Sequence, residues 1–238
     1  MKCRALALSE IGKRERNEDS IFPFFDNAIE HENVFILCDG VGGGKYGDVA
    51  SRLASYSLYE RIKIFKYDII DAVRYTERQF DTYISLHSES LGMSTTAVIV
   101  DFCENTCKIG WVGDSRVYHI RNGHILYRTQ DHSLVNKLVE IGKLTEREAK
   151  HHWLKTYVLQ CIKGTSNHCE IGIKEISGIK SKDFFLICSD GILEAVDDEI
   201  LSLLFINNNT LEYILREIKY ICRCSSKDNY SMFIIEIL

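Results

Sequence analysis

The stretch "VFILCDGVGGG", Val34–Gly44, runs four apolar residues and a cysteine into an aspartate and then a glycine run. The chain repeats the device at "DFFLICSDG", Asp183–Gly191. A short continuous apolar run closed by turn residues reads as a buried strand. Asp-Gly is itself a common turn pair, because Asp bonds its own backbone and Gly tolerates positive φ. Each end taken singly is accounted for by a turn. Two of them direct attention to what surrounds them.

Further strand-like runs, rich in Val, Ile, Phe and Thr, are Arg4–Leu8, Thr95–Phe102, Cys107–Val112, Arg116–Arg121, His124–Arg128, Glu170–Ile176 and Tyr230–Ile237. Asn122-Gly123 between two alternating runs predicts a hairpin. Helical spacing recurs from Asp48 through Val49, Leu53, Leu58 and Ile62, and again from Ile69 through Val73, Phe80 and Ile84. Thr145–Glu148 is a capping box opening a short helix. Leu211, Ile214, Ile218 and Cys222 make a late amphipathic helix. Runs of strands with clustered helices differ from regular βαβ alternation. They predict antiparallel sheet with helices packed outside, an α+β layering.

The 238 residues, 45% hydrophobic and 26% charged, fit one ordinary globular domain spanning 1–238. A net charge of −5 gives no nucleic-acid footprint. No apolar run reaches the ~18 residues of a membrane span. The N-terminal "MKCRALALSEIGKRERNED" breaks its short apolar stretch with charge too early for a signal peptide. The expectation is therefore a cytoplasmic protein. Nine cysteines, an odd number, lack paired C-x2-C spacing and are read as reduced.

Against this layout the acids fall into a pattern. Asp39 and Asp190 follow apolar strands, and Asp114 in "WVGDSR" follows the strand ending at Val112. Asp228 precedes the last strand, and Glu18 and Asp19 lie in "RNED" after the first. If the strands are neighbours in sheets, these carboxylates cluster at one end. Like charges so placed repel, and a divalent cation resolves the conflict. Oxygen ligands of this kind suit Mg²⁺ or Mn²⁺ rather than zinc.

Two decoys are set aside. "DGVGGGKYG" lacks the G-x-x-x-x-G-K-[ST] pattern of a P-loop, since Asp39 stands where the first glycine belongs and Tyr46 follows Lys45. Its glycines are read instead as letting a carbonyl approach a metal before a helix opens near Asp48. His119, His124, His151 and His152 are read as surface residues. His132 joins a turn to a helix, with Asp131 or Ser133 as the cap.

Six blocks stand in order: "RERNEDS", "CDGVGGGKYGDVAS", "MSTTAVIV", "VGDSRVYHIRNGHILYRTQDHSL", "LICSDGILEAVDDEI" and "KDNYSMFII". The ordered set, from Arg14 to Ile235, resembles the type 2C metal-dependent Ser/Thr protein phosphatases in their compact bacterial form. The resemblance implies a four-layer α-β-β-α sandwich, two antiparallel sheets flanked by helices. It implies two Mn²⁺ or Mg²⁺ ions bridged by Asp39, one bound by the Gly40 carbonyl, with Asp190 and Asp228 as acids of the second. Asp114 matches the acid of a more weakly held third ion. Glu18 and Asp19 match acids that hold metal-bound waters, and Arg14 matches the arginine that grips substrate phosphate. The chemistry implied is attack of a metal-activated water on phosphoserine or phosphothreonine, with no Cys or Ser nucleophile.

The sequence departs from the family pattern at Ser94, where glycine is usual, and along the flap segment, about 143–168. Animal members place a histidine where this chain has Val41. The expected partners are phosphorylated proteins of a cognate Ser/Thr kinase, met by a monomer. Two other readings stay open from sequence: a phosphoprotein-binding module without turnover, and a dedicated phosphatase for one anti-sigma-type partner.

Overall fold

The computed structural model describes residues 1–41, 46–155, 157–206 and 209–238, without the side chains of Lys150 and His151. The reading of the glycine run at Gly42–Gly44 falls outside these residues, as does that of the His151 side chain.

Two antiparallel sheets face each other. One has the order β3 (Ile29–Glu30), β1 (Cys3–Glu10), β11 (Tyr230–Ile237), β10 (Asp183–Cys188), β7 (Arg116–Arg121), β8 (His124–Arg128). The other runs β2 (Asp19–Phe22), β4 (Val34–Asp39), β5 (Ala97–Cys103), β6 (Thr106–Val112), β9 (Gly172–Ser177). Strand period sorts each run into two cores. On β4, Phe35 and Leu37 point between the sheets, while Val34, Ile36 and Cys38 point outward. On β10, Phe185 and Ile187 point inward, while Phe184, Leu186 and Cys188 point outward. Four phenylalanines lock the central layer, with Phe35–Phe233 ring centroids 5.3 Å apart and Phe102–Phe185 5.0 Å apart, both edge-on. Truncating such a ring typically costs about 3–5 kcal/mol.

Helices cover the outer faces. α1 (Gly47–Tyr59) presents Ala50, Ala54 and Leu58 to the β4 sheet, the small residues allowing close approach. α2 (Ile69–Leu86) is capped by Asp68, which accepts the Asp71 N–H, and packs Ile69, Val73 and Phe80 beside α1. α3 (Leu134–Glu140) and α4 (Glu146–His151) follow β8, and α5 (Asp190–Leu193) and α6 (Asp198–Leu204) follow β10. α7 (Leu211–Ser225), capped by Thr210, lays Leu211, Ile214, Ile218 and Cys222 on the other sheet. The result is the four-layer sandwich expected. The capping box at Thr145 is formed in full, and Ser133 rather than Asp131 caps α3.

The differences are local. α1 gives way at Glu60 to a π-helical turn, Glu60–Ile64, instead of continuing as α-helix to Ile62. β2 and β3 were not anticipated. His119 is buried, not on the surface. It shares the inward parity of Val117, stacks on Phe185 with centroids 4.6 Å apart, and meets Asp183 Oδ2 through Nε2 at 2.8 Å. His124 is exposed and His152 half-buried. All nine cysteines are free. No helix among the described residues is long and apolar enough to cross a membrane.

Candidate active site

The acids meet where the ends of β4, β6 and β10 and the starts of β2 and β11 converge. β2 pairs with β4 so that Asp19 stands opposite Asp39. Adjacent strands hold such partners about 4.5–5.5 Å apart at Cα, a poor place for two carboxylates without a counter-charge. The carboxyls of Asp39 and Asp190 lie close enough for each to perturb the other. Asp19 Oδ2 accepts from Ser189 Oγ at 2.9 Å, which ties β2 to the turn before Asp190. A cleft of about 730 Å³ is lined by Arg14, Glu18, Asp39, Gly40, Asp114, Asp190 and Asp228, so every sequence-nominated site residue except Asp19 borders it. Asp19 lies buried beneath its floor.

Crowding shows in the acidities. Burial first, and then the charges of Asp190 and Asp228, push the Asp19 carboxyl up to about 7. Burial, with Asp190 and Asp131, pushes Asp114 to about 8. Burial and Asp228 raise Asp190 to about 6. Asp39, desolvated and facing Asp19, Asp190 and Asp114, is raised well above the carboxylate range. Such a set invites a cation in place of protons. The donors are all oxygen, which fits a hard divalent ion. Among the described residues no group of three or more His, Cys, Asp or Glu side chains is drawn together to hold a metal ion by itself. Three side chains on one ion are not needed, because Mg²⁺ keeps several waters and takes one or two carboxylates, and Mn²⁺ shares its octahedral oxygen preference.

The two Asp-Gly pairs now separate from ordinary turns. Neither Gly40 nor Gly191 has positive φ. A Cβ on Gly40 would lie 2.4 Å from the Gly47 carbonyl oxygen, and one on Gly191 would lie 1.9 Å from that of Asn229. Each glycine permits another backbone segment to pass directly beside an acid.

The floor is fixed by residues that sequence reading left without a role. Thr96 donates its N–H to the Asp39 carbonyl at 2.8 Å and accepts the Asp39 N–H on Oγ1 at 3.2 Å. Thr95 Oγ1 donates to the same carbonyl at 2.8 Å. Asn229 was missed as a site residue. Its Oδ1 accepts the Glu18 N–H at 2.9 Å, and its Nδ2 donates to the Ile11 and Arg16 carbonyls at 2.7 and 2.8 Å. It therefore holds the loop carrying Arg14 and Glu18. Its only sequence signal was a polar residue at the mouth of an apolar strand. The Glu18 carbonyl accepts the Gly40 N–H at 3.0 Å, closing the loop onto β4.

Arg14 is exposed, and its Nη2 donates to Asp228 Oδ2 at 2.5 Å. The guanidinium thus stands over the acids, its charge directed at one of them. His132 sits behind Asp114, accepting the Gly113 N–H on Nδ1 at 3.3 Å, and burial lowers its pKa. Of the flap, Val158 reaches the cleft.

The fold and this acid-lined cleft define a metal-dependent phosphohydrolase of the sandwich type. The sequence matches the family described as Protein phosphatase 2C over residues 8–207, and the chain belongs to that family. It is a metal-dependent Ser/Thr protein phosphatase by that membership. Among relatives, it is 29% identical to the serine/threonine phosphatase stp of Listeria monocytogenes, over 94% of this chain and 91% of that one. The structure resembles serine/threonine phosphatase Stp1 from Staphylococcus aureus with a TM-score of 0.85 and 27% identity, covering 98% and 94% of the two chains. It also resembles the catalytic domain of the phosphatase PstP in complex with two manganese ions, with a TM-score of 0.79 and 26% identity, covering 99% of each chain.

Proposed function

We propose that residues 1–238 act as one catalytic domain that hydrolyses phosphoserine and phosphothreonine on proteins through a two-ion centre of Mn²⁺ or Mg²⁺. The observation that carries this reading is the meeting of Asp39, Asp190, Asp114 and Asp228 beside Arg14 in one cleft. Asp39 would bridge the ions, with the Gly40 carbonyl on one and Asp190 and Asp228 on the other. Asp114 would serve a weaker third ion, and Glu18 and Asp19 would hold metal waters. When bound, the ions supply a nucleophilic water at neutral pH and offset charge on the phosphoryl group.

The chain's own residues do the rest. Arg14 exchanges Asp228 for the substrate phosphate, which it can meet with parallel hydrogen bonds. Thr95 and Thr96 hold Asp39 still, and pre-set donors and acceptors cost no reorganisation during reaction. Val41, which lines the cleft, has no proton to give the leaving alcohol. The substrates would be those of a cognate Ser/Thr kinase, and the working form a monomer in the cytoplasm. The acids of the cleft are all present, which supports turnover over mere phosphoprotein binding.

The test is hydrolysis of a phosphothreonine peptide as Mn²⁺ is titrated, with Asp39→Asn alongside. Saturable metal dependence in the parent and its loss in a folded variant are expected. Metal-independent turnover, or an active Asp39→Asn, would refute the reading.

A further inference from the structure

The segment 143–168 returns to the body of the protein beside α2. Glu77 and Asp81, one helical turn apart on that helix, face it there. Glu77 is fully buried, a position a carboxylate holds only when partnered. Its partners lie at the end of the segment. Cys169 donates its N–H to Oε1 at 3.0 Å, and His168 Nδ1 lies 2.5 Å from Oε2. Arg74 completes the clasp, donating from Nη1 to Glu77 Oε1 at 2.8 Å and from Nη2 to the Cys169 carbonyl at 3.0 Å. Asp81 Oδ2 accepts from Thr165 N–H at 3.0 Å and from Thr165 Oγ1 at 2.5 Å. A Cβ on the neighbouring Gly164 would lie 1.9 Å from Asp81 Oδ1, so a side chain there would break the approach.

Just upstream, the same segment touches the catalytic floor. Ile162 and Thr95 exchange backbone hydrogen bonds, Thr95 N–H to Ile162 O at 3.2 Å and Ile162 N–H to Thr95 O at 2.8 Å. Thr95 Oγ1 holds the Asp39 carbonyl. Further upstream, Val158 bridges Ser133 and lines the cleft. The wall from Val158 to Ile162 is therefore pinned at Ser133 and Thr95, and its downstream root is held by two carboxylates. Neither Glu77 nor Asp81 lines the cleft.

We propose that Glu77 and Asp81 are positioning residues for protein substrates, fixing the root of the segment and so the placement of Val158 beside the acids. The proposal rests on the phosphatase reading. A small aryl phosphate reaches the acids without lying along this wall, whereas a phosphorylated protein must pass it. The two substrate classes therefore report on the clamp differently.

The experiment compares Asp81→Ala, Asp81→Asn and Glu77→Gln with the parent at saturating Mn²⁺. Readouts are kcat and KM on p-nitrophenyl phosphate and on a phosphothreonine peptide, with amide exchange followed over residues 158–169. Asp81→Ala removes both charge-assisted hydrogen bonds to Thr165 and is expected to raise KM for the peptide about fivefold, only part of the loss at the root being felt at the wall. It should leave kcat/KM on p-nitrophenyl phosphate within about twofold, and speed exchange at the root. Asp81→Asn keeps an oxygen for the Thr165 N–H and should recover most of the peptide KM. Glu77→Gln removes charge from a buried network and should lower the melting temperature too, so Asp81 carries the decision. Equal effects on both substrates, or faster exchange with an unchanged peptide KM, overturn the proposal. If the parent hydrolyses neither substrate, the phosphatase reading fails by itself. The exchange arm still reads the clamp, and unchanged exchange in Asp81→Ala overturns it.

Discussion

Replacing Asn229 by alanine removes three hydrogen bonds from a single buried side chain. It leaves the Glu18 N–H and the Ile11 and Arg16 carbonyls without those partners. A neutral hydrogen bond contributes about 1 kcal/mol net, and more when the abandoned group cannot reach water. The loop from Ile11 to Arg16 is largely exposed, so water recovers part of the loss. The sum is about 3 kcal/mol. For a chain of this size that corresponds to a fall of about 6–12 °C in Tm. Arg14 and Glu18 ride on the released loop, so KM for a phosphorylated substrate should rise more than kcat falls. Asn229→Asp sharpens the test. It keeps an acceptor for the Glu18 N–H but turns the amide donor into an oxygen facing two carbonyls, next to Asp228. It should be no more stable than the alanine variant. The assays are thermal melts by circular dichroism and steady-state kinetics at saturating Mn²⁺. A Tm within 1–2 °C of the parent, roughly the effect of a neutral surface change, together with an unchanged KM would refute the view that Asn229 organises the site.

Arg14→Ala should raise KM for phosphopeptide with a smaller loss in kcat. The exposed Arg14–Asp228 pair should contribute less than about 1 kcal/mol to stability, read from the same melts. Asp183, desolvated yet bonded by Arg121, by the Lys180 N–H and by His119, is held below its usual value of 3.8. A lowered folded-state pKa contributes stability above the unfolded pKa and loses it as pH falls through the folded one. Asp183→Asn should therefore cost stability at pH 7, with the gap closing below about pH 4 in pH-resolved melts. With Val41 in place of an acid, log kcat for substituted phenyl phosphates should fall with leaving-group pKa. A flat series with chemistry rate-limiting would mean an efficient acid exists, His132 being the first to test.

What the sequence made legible follows from burial. Val34–Asp39 and Asp183–Cys188 are apolar on both faces because helices cover one side and the opposite sheet the other, so their runs stand out. The Asn122-Gly123 hairpin was equally plain, and both residues adopt positive φ, 48° and 76°, as a two-residue turn of this kind requires. β2 was hidden because it is four residues long and opens on a charged loop. The reason for Gly40 and Gly191 was hidden too, since close approach depends on segments far away in sequence. Asn229, Glu77 and Asp81 carry no periodic signal. Each looks like an ordinary polar residue until the chain it holds is placed beside it.

The precision of the acid cluster derives from strands that cannot slip. Side chains alternate along a strand, so a shift of one residue turns every buried group to the opposite face. On β4 such a shift would exchange Phe35 and Leu37 with Val34, Ile36 and Cys38, emptying the packing of two cores at once. Register on β4 and β10 is thereby fixed by apolar burial on both faces, independently of the acids. The acids work against it, since each raises the cost of ionising the next. The site can tolerate that opposition because the side chains that set the geometry are not the ones that repel. Asp39 need only be the next residue after Cys38, and Asp190 the second after Cys188, at the ends of runs that burial has already placed. Asp19, on the short β2, has less apolar support, and there polar bonds substitute. Ser189 holds its carboxylate, and Ser20 on the same strand meets Ser55 of α1 at 2.8 Å.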